Sequence, residues 1–281
     1  MDTEAFRKTV LDLYGGTFEV DHPLDRRFKP LVDDIEGKSR ENVLALLNHA
    51  VSLMEPGEAY LEVGSYKGLS LTAAMYGNEG RRFYAVESFR EFGVDPDESR
   101  RQLFDNLRRW VTTENVTLLE GDSFRLLWEP GLVDEPVGVY FYDGIHGGVA
   151  QYLALAVAEP LLADEALVVI DDGSWPVVRR ATSKYVSRHP GWELLFDIRA
   201  KRNYEPGWWN GLLVYRYTRP QAGRSPHPGW DARWRRQWYL KVYEPTMWMA
   251  AQTLPRVPWL QRVLKRMFSK EMRSAELPPV S

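Results

Sequence analysis

The chain has 281 residues, of which 44% are apolar and 27% are charged, and its formal net charge is −3. These proportions are ordinary for a globular protein, and the length suits one large domain or one domain with an appendage. The absence of cysteine excludes disulfides and thiolate chemistry. There is no run of about 18 apolar residues to span a membrane, and the start "MDTEAFRKTV" lacks the apolar core of a signal peptide. We therefore expect a cytoplasmic protein.

The charge is distributed unevenly along the chain. Residues 219–281 contain 12 Lys and Arg residues against 4 Asp and Glu residues, a net charge of +8. Residues 1–218 contain 24 against 35, a net charge of −11. The sequence therefore predicts an acidic body followed by a basic tail, which begins at the Pro- and Gly-rich joint of residues 219–229.

The first 55 residues predict helices, because apolar residues between Val43 and Met54 recur at helical spacing until "EPG" ends the pattern. From residue 56 onwards, short apolar runs alternate with helical patterns. The predicted strands are "AYLEVG", "RFYAVES", "VTLLEGD", "VGVYFYDG" and "ALVVIDDG", and the predicted helices are residues 69–78, 97–112, 123–129, 148–161 and 174–188. Alternation of this kind is typical of a parallel sheet with helices on both faces.

Two further runs, "WELLFDI" and "GLLVYRY", are joined by residues 199–210, too few for another crossover helix. They predict an antiparallel hairpin at one edge of the sheet. The predicted fold class is therefore α/β, a doubly wound and mostly parallel seven-stranded sheet with a terminal hairpin. The predicted organisation is a helical lid or substrate region (1–55), a ligand-binding domain (56–218) and a helical basic extension (219–281).

The stretch "LEVGSYKG" places Gly64 and Gly68 directly after the first predicted strand. In an open α/β sheet, ligands bind beyond the carboxyl ends of the strands, and glycine lets a ligand approach the backbone. The stretch lacks the spacing of a pyrophosphate loop and the G-K-[ST] of a nucleoside triphosphatase. Its E-x-G-x-x-x-G pattern resembles motif I of the class I S-adenosylmethionine-dependent methyltransferases.

The resemblance extends over roughly residues 55–218 and implies a cofactor site for S-adenosylmethionine. In that family an acid at the end of the second strand binds the ribose hydroxyls, and Glu87 stands at that position. Polar residues after the third strand, here Asp122 and Ser123, lie beside the adenine. The cofactor-binding residues that the resemblance implies are Glu62, Gly64, Ser65, Tyr66, Gly68, Ser70, Glu87, Ser88, Asp122, Ser123 and Asp143.

The fourth and fifth predicted strands end in "YDGIHGG" and "VIDDGSW", which should be neighbours across the crevice. Three carboxylates converging there favour a Mg²⁺ or Ca²⁺ site, and the alternative is that the aspartates cap the following helices. The arrangement resembles metal-dependent catechol-type and sugar-modifying O-methyltransferases, which implies Asp143, Asp171 and Asp172 as ligands of a probable Mg²⁺. Those catechol enzymes often have a lysine near the first aspartate, whereas this chain has His146.

The predicted activity is methyl transfer to a hydroxyl of a small molecule, with His146 as the candidate base and Asp143 as the second candidate. The "DG.H" pattern with a histidine candidate base resembles the sugar-modifying branch more closely, which implies a sugar or glycoside as acceptor, and a catechol or phenol is the alternative. Tyr204, Trp208 and Trp209 lie in "KRNYEPGWWNG" and suit either a sugar face or a planar ring, or pack on the body.

Two other functions remain open from the sequence: a nicotinamide-dependent oxidoreductase, and a non-catalytic adaptor whose tail binds a partner. In the tail, residues 259–268 place apolar side chains on one helical face and basic ones on the other. We expect this helix to pack on the protein or on a second subunit in a homo-oligomer, and peripheral membrane contact is the less favoured alternative. The acidic body argues against nucleic-acid binding.

Overall fold

The structure, a computed structural model, describes residues 1–90, 95–221 and 229–246. Its N-terminal region contains α1 (Thr3–Thr9), α2 (Lys29–Asp34) and α3 (Glu41–Ser52). The prediction that this whole region is helical is wrong for residues 15–28, because Gly15 and Gly16 take left-handed φ angles of +71° and +91° and end the 3₁₀ turn that follows α1.

The remaining elements alternate as the sequence predicts. The strands are β1 (Ala59–Val63), β2 (Arg82–Glu87), β3 (Val116–Glu120), β4 (Val137–Tyr142), β5 (Leu162–Ile170), β6 (Trp192–Ile198) and β7 (Leu212–Thr218). The helices are α4 (Leu69–Met75), α5 (Pro96–Trp110), α6 (Ser123–Leu126), α7 (Gly148–Ala158), α8 (Pro176–Val186) and α9 (Trp230–Trp238). α4 ends three residues before the predicted position, because Gly77 adopts a φ of +74° two residues beyond Met75.

The seven strands of the described residues form one sheet in the order β3-β2-β1-β4-β5-β7-β6. The first five strands pair in parallel, and β7 pairs antiparallel with both β5 and β6. The predicted fold class is therefore confirmed, with the detail that β7 lies inside the sheet while β6 forms its edge.

Both faces of the central strands are buried, which explains why their sequences are continuous apolar runs. Every residue of β1 and of β4 is buried. Because side chains alternate along a strand, Leu61 and Val63 enter one apolar core with α7, and Tyr60 enters the opposite core with α3 and α4.

The order of strands reverses between β1 and β4, which lie next to each other while β2 and β5 extend the sheet in opposite directions. A crevice opens at such a point beyond the carboxyl ends of the strands. A backbone hydrogen bond from the Asp143 amide to the Val63 carbonyl holds the ends of β4 and β1 in register. A second one, from the Gly64 amide to the Val86 carbonyl, joins the end of β1 to β2.

The C-terminal extension is described from residue 229 to residue 246, where α9 continues into the π-helical turn Tyr239–Tyr243. The amphipathic helix predicted at residues 259–268 lies outside the described residues. Among the helices that the structure describes, none has the length and apolar character needed to cross a membrane.

Replacement of Gly64 by alanine should destabilise the protein more than replacement of Gly57, which has a similar φ of +83° but open space around it. The left-handed backbone alone costs alanine about 1 kcal/mol, and overlap with the end of β4 should add about 2 kcal/mol at Gly64. Urea denaturation of both variants measures the two free energies of unfolding. Equal losses would show that the β1–β4 contact does not constrain this position.

Candidate active site

The turn after β1 brings backbone, rather than side chains, to the crevice. Gly64 and Gly68 have φ angles of +94° and +88°, in the left-handed region that favours glycine. A Cβ atom at Gly64 would lie 2.7 Å from the carbonyl carbon of Asp143. A side chain at this position would therefore fill the crevice and displace β4. Ser65 is buried within the turn, and Gly68 is the N-cap of α4.

Glu62 is the residue before the last one of β1. Its side chain is fully buried, where it accepts hydrogen bonds from the Tyr60 hydroxyl at 2.6 Å and from the Ser70 hydroxyl at 3.0 Å. Burial raises the pKa of Glu62 to about 7. In this structure Glu62 and Ser70 fasten β1 to α4, and their predicted contact with the cofactor stays a prediction.

Glu87 ends β2 beside the glycine turn, as predicted. One of its carboxylate oxygens accepts from the Tyr66 amide at 2.7 Å and the other from the Phe89 amide at 2.8 Å. A carboxylate offers about four acceptor sites, so each oxygen retains capacity for a further donor. The neighbouring Ser88 hydroxyl accepts from the Arg90 amide. Glu87 is therefore fixed in direction and still able to bind two hydroxyls of a ligand.

Non-glycine residues with left-handed backbone occur in the loops after β1, β2 and β5. Tyr66, Phe89 and Asp172 have φ angles of +48°, +52° and +54°. Such positions cost free energy and concentrate at functional sites, where the fold holds a side chain in one direction. Their occurrence at the carboxyl ends of β1, β2 and β5 favours this edge of the sheet as the functional one.

Asp122 and Ser123 follow β3 as predicted, and Asp122 is the N-cap of α6, where its side chain accepts from the Arg125 amide at 3.0 Å. Burial, together with the nearby Glu244 carboxylate, raises the pKa of Asp122. Asp122 therefore has a structural role in capping α6, and its predicted contact with adenine stays a prediction.

The ends of β4 and β5 bring together an imidazole and three carboxylates. The His146 Nε2 atom lies 3.4 Å from Asp143 Oδ1 and 3.1 Å from Asp172 Oδ2. The His146 Nδ1 atom is buried and has no hydrogen-bond partner among the described residues. The imidazole is therefore oriented from its Nε2 side, with the Trp175 ring packed edge-on at 5.6 Å between centroids.

The carboxylates of this cluster share one low-dielectric environment. Burial and then the charge of Asp172 raise the pKa of Asp143 well above its usual value, and burial and then the charge of Asp143 raise that of Asp171. Burial also raises the pKa of Asp172, against the opposing effect of His146. The cluster therefore favours a bound positive charge or a bound proton.

Asn210, in the loop between β6 and β7, was not expected from the sequence. Its side-chain amide donates to Asp172 Oδ1 at 2.6 Å, and its side-chain oxygen accepts from the Tyr204 amide at 2.9 Å. Its backbone carbonyl accepts from the Ser174 amide. Asn210 thus fixes the Asp172 carboxylate, leaving the opposite oxygen directed at His146. A single asparagine in a loop gave no sequence signal for this contact.

The alternative that the aspartates cap the following helices is wrong. The N-cap of α7 is Gly147 and that of α8 is Trp175, and neither helix receives a hydrogen bond from a capping side chain. The aspartates are thus available for another role.

Oxygen donors at Asp143, Asp171 and Asp172 suit a hard divalent cation by their chemistry. As the side chains lie, however, the His146 imidazole approaches both Asp143 and Asp172, and the described residues contain no group of three or more acidic or histidine side chains arranged to hold a metal ion. In the described residues the three carboxylates are therefore not arranged as a metal site, and Mg²⁺ binding stays a prediction of the sequence.

The N-terminal region crosses the mouth of the crevice near the glycine turn. Glu36 forms an ion pair with Lys67, and the Tyr66 hydroxyl donates to Glu36 at 3.4 Å. The Lys38 ammonium lies 5.3 Å from the centroid of the Tyr66 ring, and its charge lowers the pKa of Asp143, although by less than burial raises it. The sequence lacks a lysine directly after Asp143, and Lys38 brings a lysine charge to this site from another element.

The aromatic residues of the loop between β6 and β7 lie in two different environments, one buried and one partly exposed. Trp208 is buried and donates from its indole nitrogen to the Phe18 carbonyl at 2.6 Å, so it packs on the body. Tyr204 is half-exposed and contacts the Trp209 ring at 5.0 Å between centroids, and the Arg40 guanidinium lies 4.3 Å above the Trp209 ring. Only Tyr204 and Trp209 remain as candidates for an aromatic surface toward a substrate.

The C-terminal extension also reaches this edge of the sheet. Glu244 pairs with Arg90 at 3.1 Å, in the loop after β2, and with Arg125 at 2.8 Å, in α6. The Tyr239 ring packs edge-on against Phe124 at 4.8 Å between centroids. These contacts hold the extension beside the end of β3. The sequence did not predict them, because Tyr239 and Glu244 lie more than 100 residues after β3 in the chain.

Residues 61–173, which include the glycine turn, Glu87 and the acidic cluster, match a family model described as a methyltransferase domain. The chain contains a methyltransferase domain. With this match and the observed sheet order, the prediction of a class I S-adenosylmethionine-dependent methyltransferase is confirmed. The nicotinamide-dependent alternative finds no such support.

Solved structures share the fold at low identity. The cofactor-bound protein Rv0187 from MTB is 18% identical with a TM-score of 0.54, over 78% of this chain and 97% of that one. The O-methyltransferase TomG from Streptomyces achromogenes, solved with S-adenosylmethionine, is 16% identical with a TM-score of 0.52, over 78% and 100%. A putative caffeoyl-CoA O-methyltransferase from Staphylococcus aureus is 16% identical with a TM-score of 0.50, over 75% and 98%. No curated protein matches the chain.

The described residues fit S-adenosylmethionine in two respects. The turn after β1 has glycine at positions 64 and 68, so it presents backbone without side chains at the crevice, where the methionine part of the cofactor would lie. Glu87 has acceptor capacity for the two ribose hydroxyls, and its direction is fixed by two amides.

Replacement of Glu87 by alanine should weaken S-adenosylmethionine binding about 100-fold, because hydrogen bonds to a charged acceptor contribute about 1.5 kcal/mol or more each. The matched control is Glu120→Ala: Glu120 is paired in register with Glu87 but binds Arg100 instead. Isothermal titration calorimetry measures both affinities. A Glu87→Ala variant that binds as tightly as the Glu120→Ala variant would contradict the assignment.

Proposed function

We propose that this methyltransferase transfers the methyl group to a hydroxyl oxygen of a small molecule. The observation that carries the proposal is the position of His146 between Asp143 and Asp172 at the ends of the two strands beside the cofactor crevice. An imidazole held there can accept a hydroxyl proton. TomG is an O-methyltransferase and the Staphylococcus aureus protein a putative one, and this likeness supports oxygen as the acceptor atom.

Bound S-adenosylmethionine supplies an electrophilic methyl group on a sulfonium. The chain's own contribution is to place an oxygen nucleophile in line with that methyl group and to remove its proton. Gly64 lies against the carbonyl of Asp143, so the cofactor turn and the proton-accepting cluster are held within one crevice.

In the proposed reaction the His146 Nε2–H donates to the carboxylates of Asp143 and Asp172, which leaves Nδ1 as the nitrogen that accepts a proton. The acceptor hydroxyl loses its proton to Nδ1 as its oxygen attacks the methyl carbon, and the methyl group leaves the sulfonium sulfur. The carboxylates of Asp143 and Asp172 then stabilise the imidazolium, and Asn210 keeps Asp172 in position for this role. Asp143 is the second candidate base, because its carboxylate lies beside His146 at the end of β4 and burial raises its pKa.

The acceptor that the sequence favours is a sugar or glycoside, with a catechol or phenol as the alternative. Trp209 and Tyr204 offer aromatic faces near the cluster, since Asn210 joins their loop to Asp172. An aromatic face with a guanidinium above it, as Arg40 provides at Trp209, suits the apolar face and hydroxyl edge of a sugar.

Replacement of His146 by glutamine should lower kcat about 100-fold or more while the affinity for S-adenosylmethionine stays within about twofold, since a general base contributes at least that factor. Asn210→Ala should lower kcat in the same direction by about tenfold, because Asp172 loses its hydrogen-bond donor. The measurements are steady-state kinetics and calorimetry with S-adenosylmethionine.

The matched control is His189→Gln, because His189 stacks on Tyr185, away from the crevice. If the His146→Gln variant has the same kcat as this control, another residue accepts the proton, and Asp143 is the first one to test.

Assistance by Mg²⁺ stays a prediction of the sequence. If it is correct, treatment with EDTA should lower turnover by about tenfold or more without changing S-adenosylmethionine affinity, and added Mg²⁺ should restore it. Asp171→Ala should then abolish the response to Mg²⁺. Full turnover in EDTA would exclude a metal-assisted reaction and leave His146 as the source of activation.

A further inference from the structure

α9 carries an outward row of tryptophans. Trp230, Trp234 and Trp238 are 80%, 61% and 37% exposed, and Val242 continues the row at 48%. They recur every four residues, so they share one helical face. Large exposed apolar groups in a contiguous row mark an interaction surface. We call residues 230–242 on this face the tryptophan row.

The tryptophan row is basic as well as aromatic. Arg233, Gln237 and Lys241 are exposed between its apolar members. The two acidic residues of the segment turn inward: Asp231 accepts from the Tyr152 hydroxyl, and Glu244 pairs with Arg90 and Arg125. The face that points outward thus combines tryptophan with positive charge and excludes negative charge.

A cavity of about 300 Å³ adjoins this face, lined by Trp128, Arg233, Arg236 and Gln237. The Arg236 guanidinium lies 4.6 Å above the Trp128 ring and donates from Nε to the Phe124 carbonyl at 2.7 Å. This arrangement fixes Arg236 in direction, so its remaining donors and those of Arg233 can meet an oxyanion such as a phosphate.

We propose that the tryptophan row docks the protein on an anionic phospholipid surface, with a lipid phosphate at the cavity beside Arg233. Tryptophan side chains insert at the headgroup level, while Arg and Lys side chains remain among anionic headgroups. The net charge of +8 over residues 219–281 adds long-range attraction to such a surface. The row lies outside the crevice, so docking does not depend on the proposed acceptor.

The test uses the full chain and sedimentation with vesicles of phosphatidylcholine, with and without phosphatidylglycerol. Wild-type protein should bind the anionic vesicles at least about tenfold more tightly than the neutral ones, with an affinity that falls as salt rises. The Trp230→Ala/Trp234→Ala variant should lose about tenfold in affinity for anionic vesicles. The Arg233→Gln/Lys241→Gln variant should lose most of the preference for anionic over neutral vesicles.

The matched control is Leu24→Ala/Leu194→Ala, which removes two exposed apolar side chains, 71% and 44% exposed, outside α9. It should bind vesicles as wild type does. Circular dichroism and S-adenosylmethionine affinity should be the same for all variants, which shows that loss of docking is separate from loss of the cofactor site.

Three outcomes would overturn the proposal. The first is absence of vesicle binding, or equal binding of wild type and both α9 variants. The second is binding of duplex DNA or RNA without vesicle binding, which would make the row a nucleic-acid surface. The third is a concentration-dependent dimer that the tryptophan substitutions abolish without any vesicle binding, which would make it an interface between two copies of the chain.

Discussion

The contact between the backbone of Gly64 and the end of β4 is the constraint on which the rest of the site depends. No side chain fits there, and the amide of Asp143 is hydrogen-bonded to the carbonyl of Val63. The distance between the ligand turn after β1 and the acidic cluster after β4 is thereby set by two adjacent parallel strands. The turn that would hold the methyl donor and the proposed proton acceptor therefore follow two adjacent strands that are joined by backbone contacts.

The electrostatics of the site follow from that close packing. Burial and then the charge of Asp172 raise the pKa of Asp143, and burial and then the charges of Asp143 and Asp172 raise the pKa of Asp171. His146 is the adjacent group that offsets them, and Lys38 adds a positive charge from the N-terminal region. Such a cluster lowers the stability of the folded protein but favours the acceptance of a proton. Catalytic centres commonly combine these two properties.

The sequence predicted the fold and the strand-end residues well, because both depend on local patterns. Gly64 comes directly after one apolar run and Glu87 ends the next. Because the strands are parallel, both residues lie at the same edge of the sheet. Asn210 and Glu244 could not be found this way, since their partners lie tens of residues away and neither sits in a recognisable pattern. Glu62 stands at the motif position, and the sequence did not reveal that its carboxylate accepts hydrogen bonds from the hydroxyls of Tyr60 and Ser70.

The central claim is that the crevice between β1 and β4 holds S-adenosylmethionine, and a crystal structure with S-adenosylhomocysteine tests it most directly. The account predicts the ribose hydroxyls within hydrogen-bonding distance of the Glu87 carboxylate, the homocysteine chain against the backbone of Gly64, and the sulfur directed toward Asp143 and His146. A nucleoside bound elsewhere on the chain, or a crevice whose Glu87 carboxylate makes no contact with the ligand, would contradict the account.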